Sequence, residues 1–553
     1  MPSVDTASAI LESLDALGVT HVLYCPGSRS APFAYALEAG SFGGDARPIL
    51  DERGAGFAAV GLARTGGLPA VVVTSGTAVA ELAPAVLEAS HARLPLLLLT
   101  ADRPGELRGV GASQATDQSG FFGTHVRASV DLEPQEASPS LVGHLARAVA
   151  AACGAPSGAP GPVQVNVAFR DPLTPVRPAC DCGDEAGASF VPRPTRVLAA
   201  PAVPVPWEDV VGPAAAGLIV AGEGASLGAR EWSAASGFPL LAEPASGAWS
   251  GGGVTPFEQT LVASSLGSEV DAVVVTGRPT LSRPIQALLA RPDVRVVVVD
   301  PHSPWVDISG NAAVVVADLE PAREPIRAAQ AEWGARVRDA AREAGERIDS
   351  LLASGSGRTM LDIARSVAAS TSGPLVLGAS NPVRAFDLAV PTLEGRVVHS
   401  NRGQSGIDGT IATAVGICLG SGYAGEASAS EGERVTAVMG DLTACHDASS
   451  LALAASVGAH LDIVVADDQG GGIFATLEHG RAASPEAYDR WFGLAQTVDY
   501  EALAAAYGVA FARAETPAQL AQLLETGEAG PRLVHAPVER AAHLYPALRD
   551  VLS

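Results

Sequence analysis

Residues 435–472, VTAVMGDLTACHDASSLALAASVGAHLDIVVADDQGGG, carry the pattern that decides the fold. We expect a strand that runs into Gly440-Asp441-Leu442-Thr443, an Ala-rich helix, and a second strand whose end delivers Asp468 and the glycines Gly470–Gly472. Neighbouring parallel strands end at one edge of a sheet, so the two carboxylates should converge there. Such an edge suits a hard cation that anchors a diphosphate. A Gly-Asp turn beside an unrelated acidic loop is the competing interpretation.

The same alternation of β-branched runs with Ala-rich segments recurs along the chain, which predicts an α/β protein with doubly wound parallel sheets. The expected strands are His21–Tyr24, Ala70–Thr74, Leu96–Thr100, Ala272–Thr276, Val294–Asp300, Leu375–Leu377, Thr436–Met439 and Leu461–Ala466. The Pro-rich stretch 172–213 predicts an extended linker. A charged helix at Ala331–Glu346, followed by Ser354-Gly355-Ser356-Gly357, predicts a second hinge. These breaks divide the chain into 1–180, 181–355 and 356–553, the middle block comprising the linker and a central α/β domain.

The first and third blocks share a local design. A strand, a Gly-containing turn and an Ala-rich helix precede a strand that ends in Asp, with 26 residues from Gly76 to Asp102 and 27 from Gly440 to Asp467. Any βαβ unit has about this length, so the spacing is weak evidence for duplication. Two related sheets that face each other across a cofactor are nevertheless a reasonable expectation.

Composition excludes several classes of protein. The 553 residues contain 36 basic side chains, all of them Arg, which excludes P-loop nucleotidases and Schiff-base chemistry because both need a Lys. A net charge of −24 argues against nucleic-acid binding. The apolar runs are too short to span a membrane, and the first ten residues do not resemble a secretory signal. Of six Cys, the close pair Cys180 and Cys182 lacks metal or redox spacing, so we expect a cytoplasmic protein.

Five further motifs occur in order and at matching spacings from about residue 15 to 500. The chain resembles the thiamine-diphosphate-dependent enzymes, and within them the menaquinone-pathway (MenD) branch, through Cys25-Pro26-Gly27-Ser28-Arg29-Ser30-Ala31-Pro32, Asp51-Glu52-Arg53-Gly54, Ala101-Asp102-Arg103-Pro104-Gly105-Glu106-Leu107, Ser400-Asn401-Arg402-Gly403-Gln404-Ser405-Gly406-Ile407-Asp408-Gly409 and Gly470-Gly471-Gly472-Ile473-Phe474. The resemblance implies three α/β domains of this enzyme type. They are a pyrimidine-binding domain at 1–180, a central domain within 181–355, and a diphosphate-binding domain at 356–553.

The resemblance also implies a reaction and its partners. A transferase of this branch decarboxylates 2-oxoglutarate and adds the succinyl carbanion equivalent 1,4 to isochorismate, which gives 2-succinyl-5-enolpyruvyl-6-hydroxy-3-cyclohexene-1-carboxylate. The implied cofactors are thiamine diphosphate and Mg²⁺, or Mn²⁺ in its place. The cofactor would lie between the first block of one subunit and the third block of another. A homodimer is then the minimum active unit, and a homotetramer is expected, with no nucleic acid and no membrane span.

Residue roles follow from the motif positions. Glu52 matches the glutamate that hydrogen-bonds N1′ of the aminopyrimidine, and Ile407 matches the apolar residue that holds the cofactor in its bent shape. Asp441 and Asp468 match the metal-binding side chains, with the Gln469–Gly470 segment offering a backbone carbonyl. The remaining implied cofactor-binding residues are Thr77, Ser400, Gly403, Leu442, Thr443, Gly471, Ile473 and Phe474.

Two positions depart from the usual pattern of these enzymes. Leu442 stands where the third residue of Gly-Asp-Gly is usual, which the MenD branch tolerates. Asp467-Asp468-Gln469 replaces an Asn-rich stretch and adds negative charge beside the diphosphate. The second departure leaves the exact ligand set open, although a carboxylate at 468 still suits a hard cation.

The implied substrates are dianions, and Arg is the only strong cation in this acidic chain. Bidentate guanidinium–carboxylate pairs would orient both substrates. The matching positions are Ser28, Arg29, Arg103, Gln114, Ser380, Arg384 and Arg402, with Arg283 from the middle block as a looser match. Ser113 replaces an Asn that commonly precedes the Gln. Any single Arg could equally be an ordinary surface charge in contact with solvent. For Arg29, Arg103, Arg384 and Arg402 together this alternative is poor, because each lies in a Gly-, Pro- or Ser-containing loop at a predicted strand end.

Two other functions remain open at this point. One is an acetolactate-synthase-like enzyme or a simple 2-keto-acid decarboxylase, against which the Arg set argues because those substrates need fewer carboxylate clamps. The other is a catalytically silent binding protein of the same fold, suggested by Asp467-Asp468-Gln469.

Overall fold

The computed structural model describes residues 3–175, 192–422, 434–527 and 529–553. Cys180, Cys182 and most of the insert at 421–434 lie outside the described residues. The contacts divide the chain into two units. The first comprises 1–200 together with 412–422 and 452–456, and the second comprises 201–411, 423–451 and 457–553.

The first unit is built on a six-stranded parallel sheet in the order β2-β1-β3-β4-β6-β5. Its strands are β1 His21–Tyr24, β2 Asp45–Pro48, β3 Pro69–Val73, β4 Leu96–Asp102, β5 Ala128–Leu132 and β6 Pro162–Ala168. Its helices are α1 Ser3–Ala16, α2 Ala31–Glu38, α3 Glu52–Arg64, α4 Thr77–Glu81, α5 Ala83–Ala92 and α6 Pro139–Ala152, with 3₁₀ turns at Gly105–Leu107 and Gly123–His125.

The second unit contains a five-stranded parallel sheet in the order β12-β11-β10-β8-β9 and a two-stranded pair, β7 with β13. The strands are β7 Pro204–Val205, β8 Gly217–Ala221, β9 Leu240–Ala242, β10 Ala272–Thr276, β11 Arg295–Val299, β12 Ala312–Val316 and β13 Asp318–Leu319. The helices are α7 Trp207–Val210, α8 Ala229–Ser236, α9 Glu258–Ala263, α10 Ser265–Glu269, α11 Arg283–Leu289 and α12 Ala328–Ala353.

A further six-stranded parallel sheet in the second unit has the order β15-β14-β16-β17-β19-β18. Its strands are β14 Leu375–Leu377, β15 Val398–His399, β16 Val435–Gly440, β17 Leu461–Asp467, β18 Ala510–Arg513 and β19 Arg532–Pro537. The helices in this part of the sequence are α13 Met360–Ser370, α14 Asn381–Ala389, α15 Thr410–Gly420, α16 Asp441–His446, α17 Ser450–Ser456, α18 Gly472–Ala475, α19 His479–Ala482, α20 Pro485–Tyr488, α21 Tyr500–Ala506, α22 Pro517–Glu525 and α23 Leu544–Arg549, with a π-helical turn at Asp489–Gly493. Most of α15 and α17 belongs to the first unit.

The two six-stranded sheets have the same topology. Numbered within each sheet, both follow the order 2-1-3-4-6-5, and every pair is parallel. The predicted likeness of the first and third blocks therefore extends from one βαβ unit to the whole sheet. The predicted α/β fold with three doubly wound parallel sheets is confirmed. Strands rich in Val and Leu, such as β4, are buried along their whole length, as expected for parallel strands that helices cover on both faces.

Three boundaries differ from the sequence-based expectation. The helix expected at Ala331–Glu346 runs as α12 over Ala328–Ala353, since Leu351 and Leu352 extend its packed face beyond the charged part. The expected linker 172–213 contains β7 and α7, because Trp207 is buried in the core of the second unit. Asp441 starts a helix directly after β16, with no intervening loop.

Each unit has its own apolar core, and the second also has a buried ion triad. Asp462 on β17 accepts bonds from Arg434 Nε at 3.0 Å and from Arg532 Nε at 2.9 Å, and all three side chains are buried. Asp462 and Arg532 are also register partners on β17 and β19. Removing one partner from such a group leaves an uncompensated buried charge. Among the described residues, no helix is long and apolar enough to cross a bilayer.

Candidate active site

The carboxyl edge of the first sheet positions Glu52. Asp51 caps α3 by accepting a bond from Gly54 N at 3.2 Å, so the following Glu52 is fixed in the first helical turn. Burial raises the pKa of Glu52, and the charges of Asp51 and Glu81 act in the same direction. A half-buried carboxyl with a raised pKa can hold a proton that an ordinary surface glutamate would release. This is the property that a proton-holding partner for a cofactor nitrogen needs.

Arg103, Gln114 and Arg29 lie close together at the same edge. Arg103 follows β4, and its Nη1 donates to Ser75 Oγ and, at 2.7 Å, to Gln114 O. Gln114 adopts a φ of 55° and its Nε2 donates to Ser75 O at 2.8 Å, so the loop closes over the end of β3. Arg29 Nη1 donates to Phe169 O at 2.9 Å. Burial lowers the pKa of Arg103, and the positive charge of Arg29 lowers it further. Two guanidinium groups that repel each other favour an anion between them.

Ser28 and Thr77 lie at the same carboxyl edge, and both side chains are exposed. Thr77 begins α4 after Gly76, whose φ of 84° is accessible to glycine at little cost. The first unit therefore gathers a half-buried acid, two arginines and exposed hydroxyl and amide groups at the ends of neighbouring strands.

In the second unit, β16 and β17 deliver Asp441 and Asp468 to one edge, as predicted. Asp441 is 3% exposed, its Oδ1 accepts from Leu442 N at 2.8 Å, and its Oδ2 is buried without a hydrogen-bond partner. Burial and the charge of Asp468 raise the pKa of Asp441 to about 7. Burial raises the pKa of Asp468 to about 6, although Arg540 opposes this. Two crowded carboxyls with one orphaned oxygen fit a divalent cation, which would satisfy both.

Asp467, next to Asp468 in the chain, has partners of its own. Its Oδ2 lies 2.9 Å from His535 Nε2 and its Oδ1 accepts from Gln469 N at 2.9 Å. The hydrogen bond with His535 lowers the pKa of Asp467. The extra carboxylate of Asp467-Asp468-Gln469 is therefore held by a neighbouring strand. Arg540 completes this edge, because its Nη2 donates to Gln469 O at 2.7 Å.

The glycines after Asp468 are tightly enclosed. A Cβ on Gly470 would lie 2.1 Å from Gly493 O, and one on Gly471 would lie 2.2 Å from Phe492 O. One on Gly472 would lie 1.7 Å from Asp468 Oδ2. A side chain at any of the three would displace its neighbours, so only glycine fits this segment as it is packed. The residues that follow, Ile473 and Phe474, are half-buried, with the Phe474 ring 5.7 Å from that of Phe492.

The other proposed cofactor residues occupy loops and helix starts of the second unit. Ser400 is fully buried and its Oγ has no hydrogen-bond partner. Ile407 and Gly403 are half-buried in the loop that follows β15. Leu442 is half-buried and Thr443 is buried in the first turn of α16, beside Asp441.

Arg384 and Arg402 lie together beside the same sheet. Nη1 of Arg384 donates to Ser380 O at 2.8 Å and to Ala379 O at 3.1 Å, and Nη1 of Arg402 donates to the same Ala379 O at 3.2 Å. Burial and the charge of Arg402 lower the pKa of Arg384 to about 10. Arg402 also reaches the five-stranded sheet region, where its Nη2 donates to Thr280 Oγ1 at 3.1 Å.

A cavity of about 830 Å³ opens beside this pair, and we call it the arginine cavity. Four arginines line it, together with one acid, Glu478. Arg283 starts α11 and forms an exposed ion pair with Glu478 at 3.3 Å, so the looser match from the middle block does join Arg384. The lining residues are Gln259, Thr280, Leu281, Arg283, Gln286, Arg384, Leu388, Thr476, Leu477, Glu478, Arg481, Ala482, Tyr545, Pro546 and Arg549.

Sequence reasoning missed several residues of this edge. Gln259 and Asp387 are bonded to each other beside Arg384, and neither lies in a Gly-rich motif. Asp387 carried a weak signal, since it follows Arg384 by three residues and so lies on the same helix face. Nothing in the sequence around Gln259, Arg540 or His535 distinguishes them from ordinary polar residues.

Two family models match the chain in the regions that carry these features. Residues 4–121 match the model described as "Thiamine pyrophosphate enzyme, N-terminal TPP binding domain", and residues 386–536 match "Thiamine pyrophosphate enzyme, C-terminal TPP binding domain". The class defined by the repeated sheet topology and the acidic strand edge is therefore that of the thiamine pyrophosphate enzymes.

Full-length relatives narrow the class. A protein of Kineococcus radiotolerans called 2-succinyl-5-enolpyruvyl-6-hydroxy-3-cyclohexene-1-carboxylate synthase is 42% identical, with 96% of this chain and 95% of the relative covered. Proteins of the same name from Renibacterium salmoninarum (38% identical, 98% and 95% covered) and a Nocardioides species (39%, 97% and 95%) are similarly close. The chain belongs to the family of 2-succinyl-5-enolpyruvyl-6-hydroxy-3-cyclohexene-1-carboxylate synthases.

Proposed function

We propose that the chain decarboxylates 2-oxoglutarate and adds the remaining succinyl unit to isochorismate, forming 2-succinyl-5-enolpyruvyl-6-hydroxy-3-cyclohexene-1-carboxylate for menaquinone biosynthesis. The observation that carries this proposal is near-full-length identity of about two residues in five to synthases of that name. Thiamine diphosphate supplies the electron sink for carbon–carbon bond cleavage and formation. The protein contributes binding, orientation and local charge.

The second unit would hold the cofactor's diphosphate through Mg²⁺, or Mn²⁺ in its place. We assign the cation to the side chains of Asp441 and Asp468 and to the backbone carbonyl at Gly470. Mg²⁺ takes oxygen ligands and is commonly bound by one or two carboxylates together with phosphate oxygens. The orphaned Asp441 Oδ2 and the enclosed glycines Gly470–Gly472 support this assignment. Ser400, Gly403, Leu442, Thr443, Gly471, Ile473 and Phe474 would complete the cofactor contacts of this unit, with Ile407 supporting the bent cofactor.

Glu52 would hold a proton at N1′ of the aminopyrimidine, with Thr77 nearby at the same sheet edge. The raised pKa of Glu52 supports this role, because the carboxyl must be protonated for the hydrogen bond. Substitution of Glu52 is therefore expected to abolish turnover while the affinity for thiamine diphosphate is kept.

The arginines would orient the two dianionic substrates. Arg29 and Arg103, with Ser28 and Gln114, form one positive edge in the first unit. Ser380, Arg384 and Arg402, with Arg283, form another in the second unit. Guanidinium groups suit carboxylates because their planar donors can bind two oxygens at once. The expected substrates carry four carboxylates in total, which matches this unusual concentration of Arg in an acidic protein.

A simple 2-keto-acid enzyme is the alternative that the arginines disfavour. We propose to measure CO₂ release from 2-oxoglutarate and from pyruvate with thiamine diphosphate and Mg²⁺, each with and without isochorismate. Release from 2-oxoglutarate that accelerates with isochorismate is expected. Release from pyruvate alone would support an acetolactate-synthase-like or decarboxylase function, and no release under any condition would support a silent binding protein.

The active unit would be a homodimer at minimum, assembled as a homotetramer, in the cytoplasm. In this arrangement Glu52 and Asp441 of one active site come from different subunits. Glu52→Gln and Asp441→Asn subunits would each be inactive alone, but random exchange between them should restore roughly a quarter of wild-type activity, since half the dimers are mixed and each has one intact site. Mixing without any recovery would contradict shared sites.

A further inference from the structure

Gln259 is a buried amide in the wall of the arginine cavity. It is the second residue of α9 and is 8% exposed. It therefore comes from the region of the five-stranded sheet, in which the sequence suggested only Arg283. The family resemblance gives Gln259 no role.

One contact of Gln259 and one of its neighbour Thr260 hold the amide in place. Its Nε2 donates to Oδ2 of Asp387, a 3% exposed residue on α14 that follows Arg384 by three positions. The next residue on α9, Thr260, donates from Oγ1 to Leu548 O at 3.1 Å, which fastens α9 against α23. The Gln259 amide is held by the buried Asp387 carboxyl, and its helix α9 is held against α23. The amide is therefore oriented before any substrate binds.

The carboxyl of Asp387 lies among other charged groups and faces the NH₂ end of the Gln259 amide. Burial raises the pKa of Asp387 to about 7, while Arg384 and Arg402 favour its anionic form. Burial also raises the pKa values of the neighbouring Glu243 and Glu258, and the charge of Asp387 acts in the same direction. In the structure the NH₂ group of Gln259 donates to this carboxyl, so the amide oxygen is turned away from Asp387.

The chemistry of that oxygen limits what it can bind. A neutral acceptor cannot pair with a substrate carboxylate, which also only accepts. The arginines of the cavity can bind the substrate carboxylates. The amide oxygen beside them can instead accept a hydrogen bond from a neutral donor such as a hydroxyl. Of the two proposed substrates, isochorismate carries a ring hydroxyl beside its two carboxylates and 2-oxoglutarate carries none.

We propose that Gln259 is a specificity-determining residue whose amide oxygen accepts a hydrogen bond from the ring hydroxyl of isochorismate, and that Asp387 is the positioning residue that orients this amide. The inference rests on the proposed function and deepens it, because it names the group that distinguishes the acceptor substrate from other dicarboxylates of similar size.

The test compares wild-type protein with Gln259→Met, a nearly isosteric variant that keeps the packing. The substrates are isochorismate and an analogue in which the ring hydroxyl is replaced by hydrogen. Wild-type kcat/KM should fall on loss of the hydroxyl by roughly tenfold or more, as a lost neutral hydrogen bond predicts. Gln259→Met should show a similar fall with isochorismate and no further fall with the analogue, while KM for 2-oxoglutarate stays unchanged.

Asp387→Asn tests the positioning role. Its amide can face Gln259 with either end, so the orientation is lost and KM for isochorismate should rise. The double variant Asp387→Asn, Gln259→Met should be no worse than Gln259→Met alone. Additive losses would contradict positioning through Gln259.

Thr260→Val is the matched control for damage to α9. It breaks the bond to Leu548 and should lower the thermal midpoint without changing the preference for the hydroxyl. If Gln259→Met still discriminates between the two acceptors as wild-type does, the inference is wrong. If wild-type protein forms no product with isochorismate, the proposed function itself fails, so the two failures are distinguishable.

Discussion

Replacing Gly472 by Ala should remove Asp468 from its proposed place at the cation. The added Cβ would lie 1.7 Å from Asp468 Oδ2 and 2.7 Å from its Cγ, whereas ordinary contact begins near 3.4 Å. The carboxylate oxygen must therefore move by about 1.7 Å, a distance close to the whole Mg²⁺–oxygen bond length of about 2.0–2.1 Å. A ligand displaced that far cannot keep its bond.

The expected size of the effect follows from the number of ligands lost. One of two carboxylates is misplaced while the other, Asp441, stays. Loss of a residue that only supports a metal ligand typically costs about 10–100-fold in metal affinity, so the affinity for thiamine diphosphate at fixed Mg²⁺ should fall at least that far. Isothermal titration of the purified protein measures this directly. Gly252→Ala is the control, because its Cβ would meet only Glu394 Oε1 at 3.6 Å. Affinity of Gly472→Ala within twofold of wild type would refute Asp468 as a ligand.

Three further predictions follow from charge and burial. Glu52→Gln should bind thiamine diphosphate with near-wild-type affinity yet lose most turnover, and wild-type-like activity would contradict its role. Because cations bind the ionised carboxyls, the pKa values of about 7 for Asp441 and about 6 for Asp468 predict that Mg²⁺-dependent cofactor affinity falls by roughly 20-fold from pH 8 to pH 6; a flat profile would show that these groups do not bind the cation. Asp462→Asn leaves two buried arginines undercompensated and should cost about 3–5 kcal/mol in the free energy of unfolding, measured by urea titration, where a loss below about 1 kcal/mol would contradict the triad's role.

The strand pattern was predictable because buried parallel strands have the simplest signature in the sequence. Runs such as Ala272–Thr276 and Leu375–Leu377 are β-branched or Leu-rich and end at polar or small residues, and the structure places these two strands at the expected residues. Alternation with Ala-rich helices then determines the fold class. Helix ends were less predictable, since α12 continues to Ala353 through contacts with distant residues.

The residues of the candidate site also differ in how far the sequence predicts them. Asp441, Asp468 and Arg103 sit at strand ends, so sheet geometry alone brings each to an edge, and motif spacing indicates them. Gln259 depends on a contact with Asp387, 128 residues further along the chain, and a single sequence gives no sign of such a pair. The three-domain boundaries and the residue roles remain predictions.

The most direct test of the proposed function follows product formation from 2-oxoglutarate and isochorismate by purified protein with thiamine diphosphate and Mg²⁺. The predicted result is one CO₂ released for each molecule of 2-succinyl-5-enolpyruvyl-6-hydroxy-3-cyclohexene-1-carboxylate formed, with both dependent on the cofactor. Cofactor-bound protein that releases no CO₂ and consumes no isochorismate would contradict it.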